Sequence, residues 1–185
     1  MTETSVHVKK AGMRDIPGIL ALINSYAAAG IMLPRTEFEM SENIRDFSVA
    51  YEDGALVGCA ALHFYTPTSA EVRSLAVLQD RKRGGVGRAM VEALEQEARD
   101  NDLESLFAFT YVPQFFARLG FEEVERGELP LKAWKDCLRC PKFHNCDEIA
   151  VLKQLKEPSI LHHSLPNSIS SDLIQLPTLR NATYR

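Results

Sequence analysis

One stretch constrains the chain more than any other. From Ala70 to Asp100 it reads AEVRSLAV, then LQDRKRGGVG, then RAMVEALEQEARD. An apolar strand feeds a basic, glycine-rich turn that opens directly onto an amphipathic helix. Val86, Met90, Ala93 and Leu94 fall on one face of that helix at its natural period, and Glu92, Glu95, Gln96 and Arg99 occupy the others. Gly84, Gly85 and Gly87 allow a tight turn and close approach of backbone N–H groups to a ligand. The first N–H groups of a helix lack intrahelical partners and sit at the positive end of its dipole, so this corner suits a phosphate. Arg81, Lys82, Arg83 and Arg88 add side-chain charge there, on a chain whose formal net charge is −4. A local basic patch on an acidic protein points to an anionic ligand and does not suggest a nucleic-acid surface.

The turn matches neither GxxxxGK[ST] nor the dinucleotide GxGxxG with an acidic residue about twenty positions on. It resembles the coenzyme A pyrophosphate loop of the GNAT N-acetyltransferases, [QR]xxGx[GA], read here as Lys82-Arg83-Gly84-Gly85-Val86-Gly87. Lysine replaces the usual glutamine or arginine at the first position. A second match lies at FTYVPQFFARLGF (109–121), where Phe115-Phe116 takes the FY place of the family and Gly120-Phe121 its GF. Further on, Glu128-Leu129-Pro130-Leu131-Lys132 and a last strand from Asp147 to Lys153 resemble N-acetylglutamate synthases, in a short form without an amino-acid-kinase domain.

The order of elements agrees with that resemblance. Residues 5–10 read as a strand, and Asp15 caps a helix to about Ala29, with Pro17 in its first turn and Gly30 as its stop. Thr36, with Glu39 completing a capping box, starts a second helix to about Asp46. Strands at 47–52 and 55–65 flank Asp53-Gly54, a type I′ hairpin signal. Strands at 70–78, 103–109 and 121–126 follow, with a short helix at 113–119 begun by Pro113. The expected fold is α/β of the GNAT type, a mixed sheet of six to seven strands flanked by about four helices. We expect one domain over residues 1–153 and an extended or disordered tail over 154–185, where prolines, serines and asparagines break any period.

The resemblance implies an acetyl-CoA-dependent N-acetyltransferase, with L-glutamate as the acceptor and arginine biosynthesis as its setting. Under it, the backbone of Leu75, Ala76 and Val77 pairs with the pantetheine arm and stabilises the thioester oxygen. Lys82 to Arg88 hold the pyrophosphate, with Val86 inside the loop. Glu71 corresponds to the base glutamate of GNAT histone acetyltransferases. Phe116 stands where the family often has an acidic tyrosine, which leaves Tyr111 as the nearby candidate acid. A dicarboxylate acceptor needs cations in fork geometry. Arg73 shares a strand face with Glu71 by alternation, Arg35 closes the apolar GIMLPR loop, and Lys132 lies in the LP-x-K segment. The alternatives are another amino acid, a polyamine or a protein N-terminus as acceptor, or a non-catalytic acetyl-CoA-binding regulator.

Cys137, Cys140, His144 and Cys146 form a second unusual group, a donor set that zinc accepts in structural sites, although the last three lie close together. A reduced cysteine cluster is the competing reading. With Cys59 in an expected buried strand, the four cysteines do not make a spread disulfide framework, which suggests a reducing cytoplasm. No apolar run approaches the roughly twenty residues needed to cross a bilayer, so no membrane partner is expected. A homodimer stays open.

Overall fold

The computed structural model describes residues 6–129, 138 and 140–156. Seven strands form one sheet: β1 (His7–Lys10), β2 (Phe47–Glu52), β3 (Ala55–Phe64), β4 (Ser69–Val77), β5 (Ser105–Thr110), β6 (Glu122–Glu123) and β7 (Ile149–Gln154). Their spatial order is β1-β2-β3-β4-β5-β7-β6. Among the described residues, only β4 and β5 run parallel. A parallel pair needs a long crossover, and α3 (Val86–Asp100) supplies it. The other helices are α1 (Ile16–Ala28), α2 (Glu37–Asn43) and α4 (Pro113–Ala117). The expected mixed sheet with four helices is therefore the fold observed.

Each face of the sheet carries its own core. On one face Val86, Met90, Val91, Leu94 and Ala98 of α3 pack on Ala60, Leu62, Val72, Leu106 and Ala108. On the other, Ile19, Leu22, Ile23 and Tyr26 of α1 pack on Val49, Cys59, Ala61 and Ala76. Burying each large apolar side chain contributes about 1.5–3 kcal/mol, so the α3 stripe, fully removed from water, ties the glycine-rich corner firmly to the sheet. Burial pushes the Cys59 thiol up to about 12, which marks it as a packing residue rather than a nucleophile.

Local signals mostly hold. Thr36 Oγ1 accepts from Glu39 N at 3.2 Å, and Glu39 Oε2 accepts from Thr36 N at 2.9 Å, closing the expected capping box. Asp53 (φ 49°) and Gly54 (φ 79°) both take the left-handed conformation that a type I′ turn requires. Asp15 differs from expectation. Its carboxylate accepts from Gly12 N at 2.8 Å and Tyr51 Oη at 2.7 Å, bracing the turn before α1 rather than capping the helix. Helix α2 ends at Asn43 and gives way to a tighter turn over Ile44–Asp46. The strand expected at 121–126 shortens to two residues.

One irregularity decides how the site is built. Cys59 pairs with Ala76 and Ala61 with Arg73, so two residues of β4, Ser74 and Leu75, oppose Ala60 alone. This is a β-bulge, with Ser74 at φ 54°. Glu71 and Arg73 keep to the α1 side of the sheet, whereas Leu75 and Val77 pack with the α3 core. Simple alternation would have placed all four on one side.

Candidate active site

The β4–β5 ladder has only three pairs, Ser69↔Ser105, Ala70↔Leu106 and Glu71↔Phe107. Strand β4 continues to Val77 and β5 to Thr110 without pairing each other, while β5 pairs with β7 along its whole length. The β4 edge beyond Glu71 is thus left facing a split in the sheet. An extended amide-containing ligand could add itself there as a short extra strand. The end of β4 is fixed from the other face, because Tyr26 Oη donates to Val77 O at 2.6 Å. Leu78 N–H donates to Val57 O at 2.9 Å, which holds the strand exit against β3.

The glycine-rich corner follows at once. The first backbone bond into α3 runs from Ala89 N to Gly85 O at 2.9 Å, so the N–H groups of Val86, Gly87 and Arg88 precede it and face out of the helix N-terminus. Two of the three expected glycines have distinct tasks. Gly85 adopts φ 86°, a conformation that L side chains avoid. Gly87 instead makes room inside the protein, since a Cβ there would lie 3.3 Å from Phe115 Cζ. Arg83, not a glycine, supplies a second left-handed residue at φ 70°. Val86 contributes backbone only, its side chain being buried in the core.

The basic residues are less available than their count suggests. Arg81 Nε lies 2.6 Å from Glu52 Oε2, and Arg88 Nη1 lies 3.3 Å from Glu92 Oε1. The Arg88 pair is an exposed i,i+4 contact, worth only about 0.3–0.5 kcal/mol, and a phosphate can readily replace it. Lys82 Nζ sits 5.0 Å from the centre of the Tyr26 ring, so one tyrosine braces both the strand end and the loop.

Glu71 stands where the β4–β5 ladder ends, and it is buried, with 8% of its surface exposed. Tyr65 Oη donates to Glu71 Oε2 at 3.0 Å. Arg73, on the same face, places Nη2 3.9 Å from Asp46 Oδ2, and the same oxygen lies 2.5 Å from His63 Nδ1. Arg35 is placed by its backbone, which exchanges bonds with the Asn24 amide at 2.9 and 3.1 Å. Asn24 thereby fixes where the loop between α1 and α2 ends.

Tyr111 begins the loop after β5. Its hydroxyl donates to Asp147 Oδ1 at 2.9 Å and accepts from Lys142 Nζ at 3.0 Å. Burial pushes this phenol above the usual tyrosine range, the Asp147 bond adds to the rise, and Lys142 opposes it. The expected acid therefore has its proton committed to a carboxylate. Phe116 is buried edge-on against Phe121, with ring centres 5.2 Å apart.

Lys132 and Cys137 lie outside the described residues. Among the described residues, no three His, Cys, Asp or Glu side chains gather as a metal site. Cys146 Sγ lies 4.0 Å from Glu148 Oε2. The segment is joined to the body by Arg126, whose guanidinium donates to the carbonyls of Cys146 and Glu148. Among the described helices, none is long and apolar enough to cross a membrane.

A model of the acetyltransferase (GNAT) family matches residues 22–121, from within α1 to the glycine-phenylalanine pair after α4. The chain belongs to this family. The acetyltransferase is 42% identical over 148 residues to an uncharacterized N-acetyltransferase of Chlorobaculum tepidum, covering 80% of this chain and 96% of that protein. It is 37% identical over 135 residues to an amino-acid acetyltransferase of Mycobacterium tuberculosis, covering 71% of this chain and 77% of the relative. Its fold superposes on N-acetylglutamate synthase of Neisseria gonorrhoeae, solved with coenzyme A and N-acetyl-glutamate, with a TM-score of 0.76 at 30% identity. That match covers 84% of this chain but 36% of the synthase. This N-acetyltransferase thus spans about a third of the gonococcal protein's length.

Four contributors escaped sequence reasoning. Tyr26 was legible only as part of the apolar stripe of α1, because periodicity reports where a ring is buried and not where its hydroxyl reaches. Tyr65 sits at a strand end with no motif around it. Asp46 and His63 are seventeen residues apart and meet only through the β2–β3 pairing.

Proposed function

We propose that this acetyltransferase moves the acetyl group of acetyl-CoA to the α-amino group of L-glutamate, giving N-acetyl-L-glutamate as the first step of arginine biosynthesis. The observation that carries the proposal is the joint placement of Glu71 and Arg73 on one face of β4, beside the point where β4 and β5 part. A base and a guanidinium then address the two ends of an α-amino acid. The names of the amino-acid acetyltransferase and synthase relatives support the same acceptor class.

In this reading Glu71 takes a proton from the acceptor ammonium, directly or through water, leaving a neutral amine. The amine nitrogen attacks the thioester carbonyl carbon, and the N–H groups of the β4 edge from Leu75 to Val77 meet the oxyanion that forms. Collapse breaks the C–S bond and releases coenzyme A as a thiolate, while the nitrogen, cationic after the attack, gives its remaining extra proton to water as the neutral amide forms. A thiol of this kind has a pKa of about 8.5, so the thiolate is a tolerable leaving group that solvent can protonate. Tyr111 then serves to fasten the Lys142–Asp147 loop. Arg73 and Arg35 bind the acceptor carboxylates, and Lys132 is assigned to the same task. The α3 N-terminus with Lys82, Arg83 and Arg88 binds the pyrophosphate.

A second reading has one observation in its favour. Asp46 beside Arg73 offsets part of the positive charge, which suits an amino acid with a single carboxylate. Thiol release from acetyl-CoA across a panel of amino acids, polyamines and N-terminal peptides separates the two. Turnover selective for L-glutamate, with a raised KM in Arg73→Ala, is the expected result. Turnover confined to other acceptors would overturn the glutamate assignment.

A further inference from the structure

Glu71 is buried beside two aromatic rings, and a carboxylate in such a place loses solvation that must be replaced if it is to stay ionised and correctly aimed. We infer that Tyr65 is a positioning residue for Glu71: its hydroxyl holds Oε2 of the carboxylate and so fixes how the carboxylate is aimed at the acceptor amine. The inference rests on the reading of Glu71 as the base and adds to it the residue that sets its orientation and charge state.

The geometry is specific. Tyr65 lies just past the end of β3 and donates to Glu71 Oε2 at 3.0 Å. Its ring is held on two sides. His63 meets it edge-on with ring centres 4.9 Å apart, and Phe107, the cross-strand neighbour of Glu71, tilts against it at 5.6 Å. His63 is fixed in turn by Asp46 through Nδ1. A chain of contacts therefore runs from the turn before β2 to the carboxylate: Asp46 orients His63, His63 and Phe107 clamp the Tyr65 ring, and the Tyr65 hydroxyl fixes Glu71. Among the described residues, the groups with charge or titration around Glu71 include His63 and Tyr65 from β3 and its end, Arg73 from β4, and Asp46 from the turn before β2. Strand β5 contributes Phe107, which has neither. A phenol that donates to a carboxylate favours its ionised form, so this contact keeps Glu71 ready to accept a proton.

Tyr65→Phe removes the hydroxyl and leaves the ring in its clamp. Steady-state kinetics against pH, on wild type, Tyr65→Phe and Glu71→Gln, test the assignment. A hydroxyl bond to a charged group is worth roughly a ten- to hundredfold effect. Tyr65→Phe is expected to lower kcat by about tenfold or more, to move the acidic limb of kcat/KM to higher pH, and to leave the KM for acetyl-CoA unchanged. Glu71→Gln is expected to be nearly inactive while still binding acetyl-CoA by calorimetry. If Glu71→Gln is inactive but Tyr65→Phe keeps the wild-type rate and pH limb, the Tyr65 assignment is overturned and the base stands. If Glu71→Gln keeps its activity, the base assignment fails and this inference fails with it.

Discussion

Replacing Gly85 by alanine should weaken coenzyme binding without disturbing a single side-chain contact. Gly85 has φ 86° and ψ −11°, and a Cβ built on it meets no atom within 4 Å. The whole penalty is therefore conformational, about 1–2 kcal/mol for an L residue in the left-handed region. The loop lies on the surface ahead of α3, so it can shed that strain by relaxing, and binding must then restore the tight turn. Restoring it lowers affinity by about five- to thirtyfold, since 1.4 kcal/mol corresponds to a factor of ten. Gly54 is a natural control. It has φ 79° and also meets nothing within 4 Å, but it sits in the turn of the β2–β3 hairpin, outside the glycine-rich loop. Gly54→Ala carries a similar strain that the hairpin cannot shed, and at about 2–4 °C per kcal/mol for a chain of this size it should lower Tm by a few degrees. Calorimetric titration with coenzyme A and thermal denaturation of both variants separate the effects. A Gly85→Ala protein that binds coenzyme A within a factor of two of wild type would refute the claim that this backbone conformation builds the site.

Other consequences follow from particular contacts. Tyr111→Phe should leave kcat within about threefold of wild type, because the Tyr111 proton serves Asp147; a drop of the 10²–10⁴-fold size of general acid catalysis would restore Tyr111 as the acid. Cys59 should resist alkylation in the folded protein at pH 8, while Cys140 and Cys146, both partly exposed, react; peptide mass spectrometry after iodoacetamide treatment reads this out. Lys153 donates to Glu95 Oε2 at 2.6 Å and to Leu119 O at 2.7 Å, at the end of α4. Burial works to raise the Glu95 carboxyl, but the bonds from Lys153 and Arg99 outweigh it and hold it below the usual carboxylate range. A lowered folded value adds stability above the unfolded pKa of about 4.3 that is lost as pH falls through the folded value. Lys153→Met should therefore cost about 1–3 kcal/mol at pH 7, and denaturant melts should show that difference shrinking below about pH 4.

The sequence by itself determined most of the frame. The α3 stripe, the Thr36–Glu39 capping box, the Asp53-Gly54 turn and the strand-to-helix corner are local patterns, each written in residues a few positions apart. Backbone sterics and periodic burial act over that range, so they can be read without the fold. The glycine-rich corner was legible for the same reason, since its turn and the outward N–H groups of the helix start are set by a few adjacent residues. The acceptor side was legible only as residue types. Glu71 and Arg73 share a face by simple alternation, but the bulge at Ser74 that turns Leu75 and Val77 to the other side is hidden within an apolar run. Charge balance was equally hidden, because the partners of Arg81 and Arg73 come from β2 and the turn before it. The Tyr65 bond to Glu71 and the Asp46 bond to His63 exist only once β2, β3 and β4 lie side by side. Tertiary structure decided these because a hydrogen bond depends on where two atoms meet in space, and sheet pairing brings together residues that the chain keeps apart.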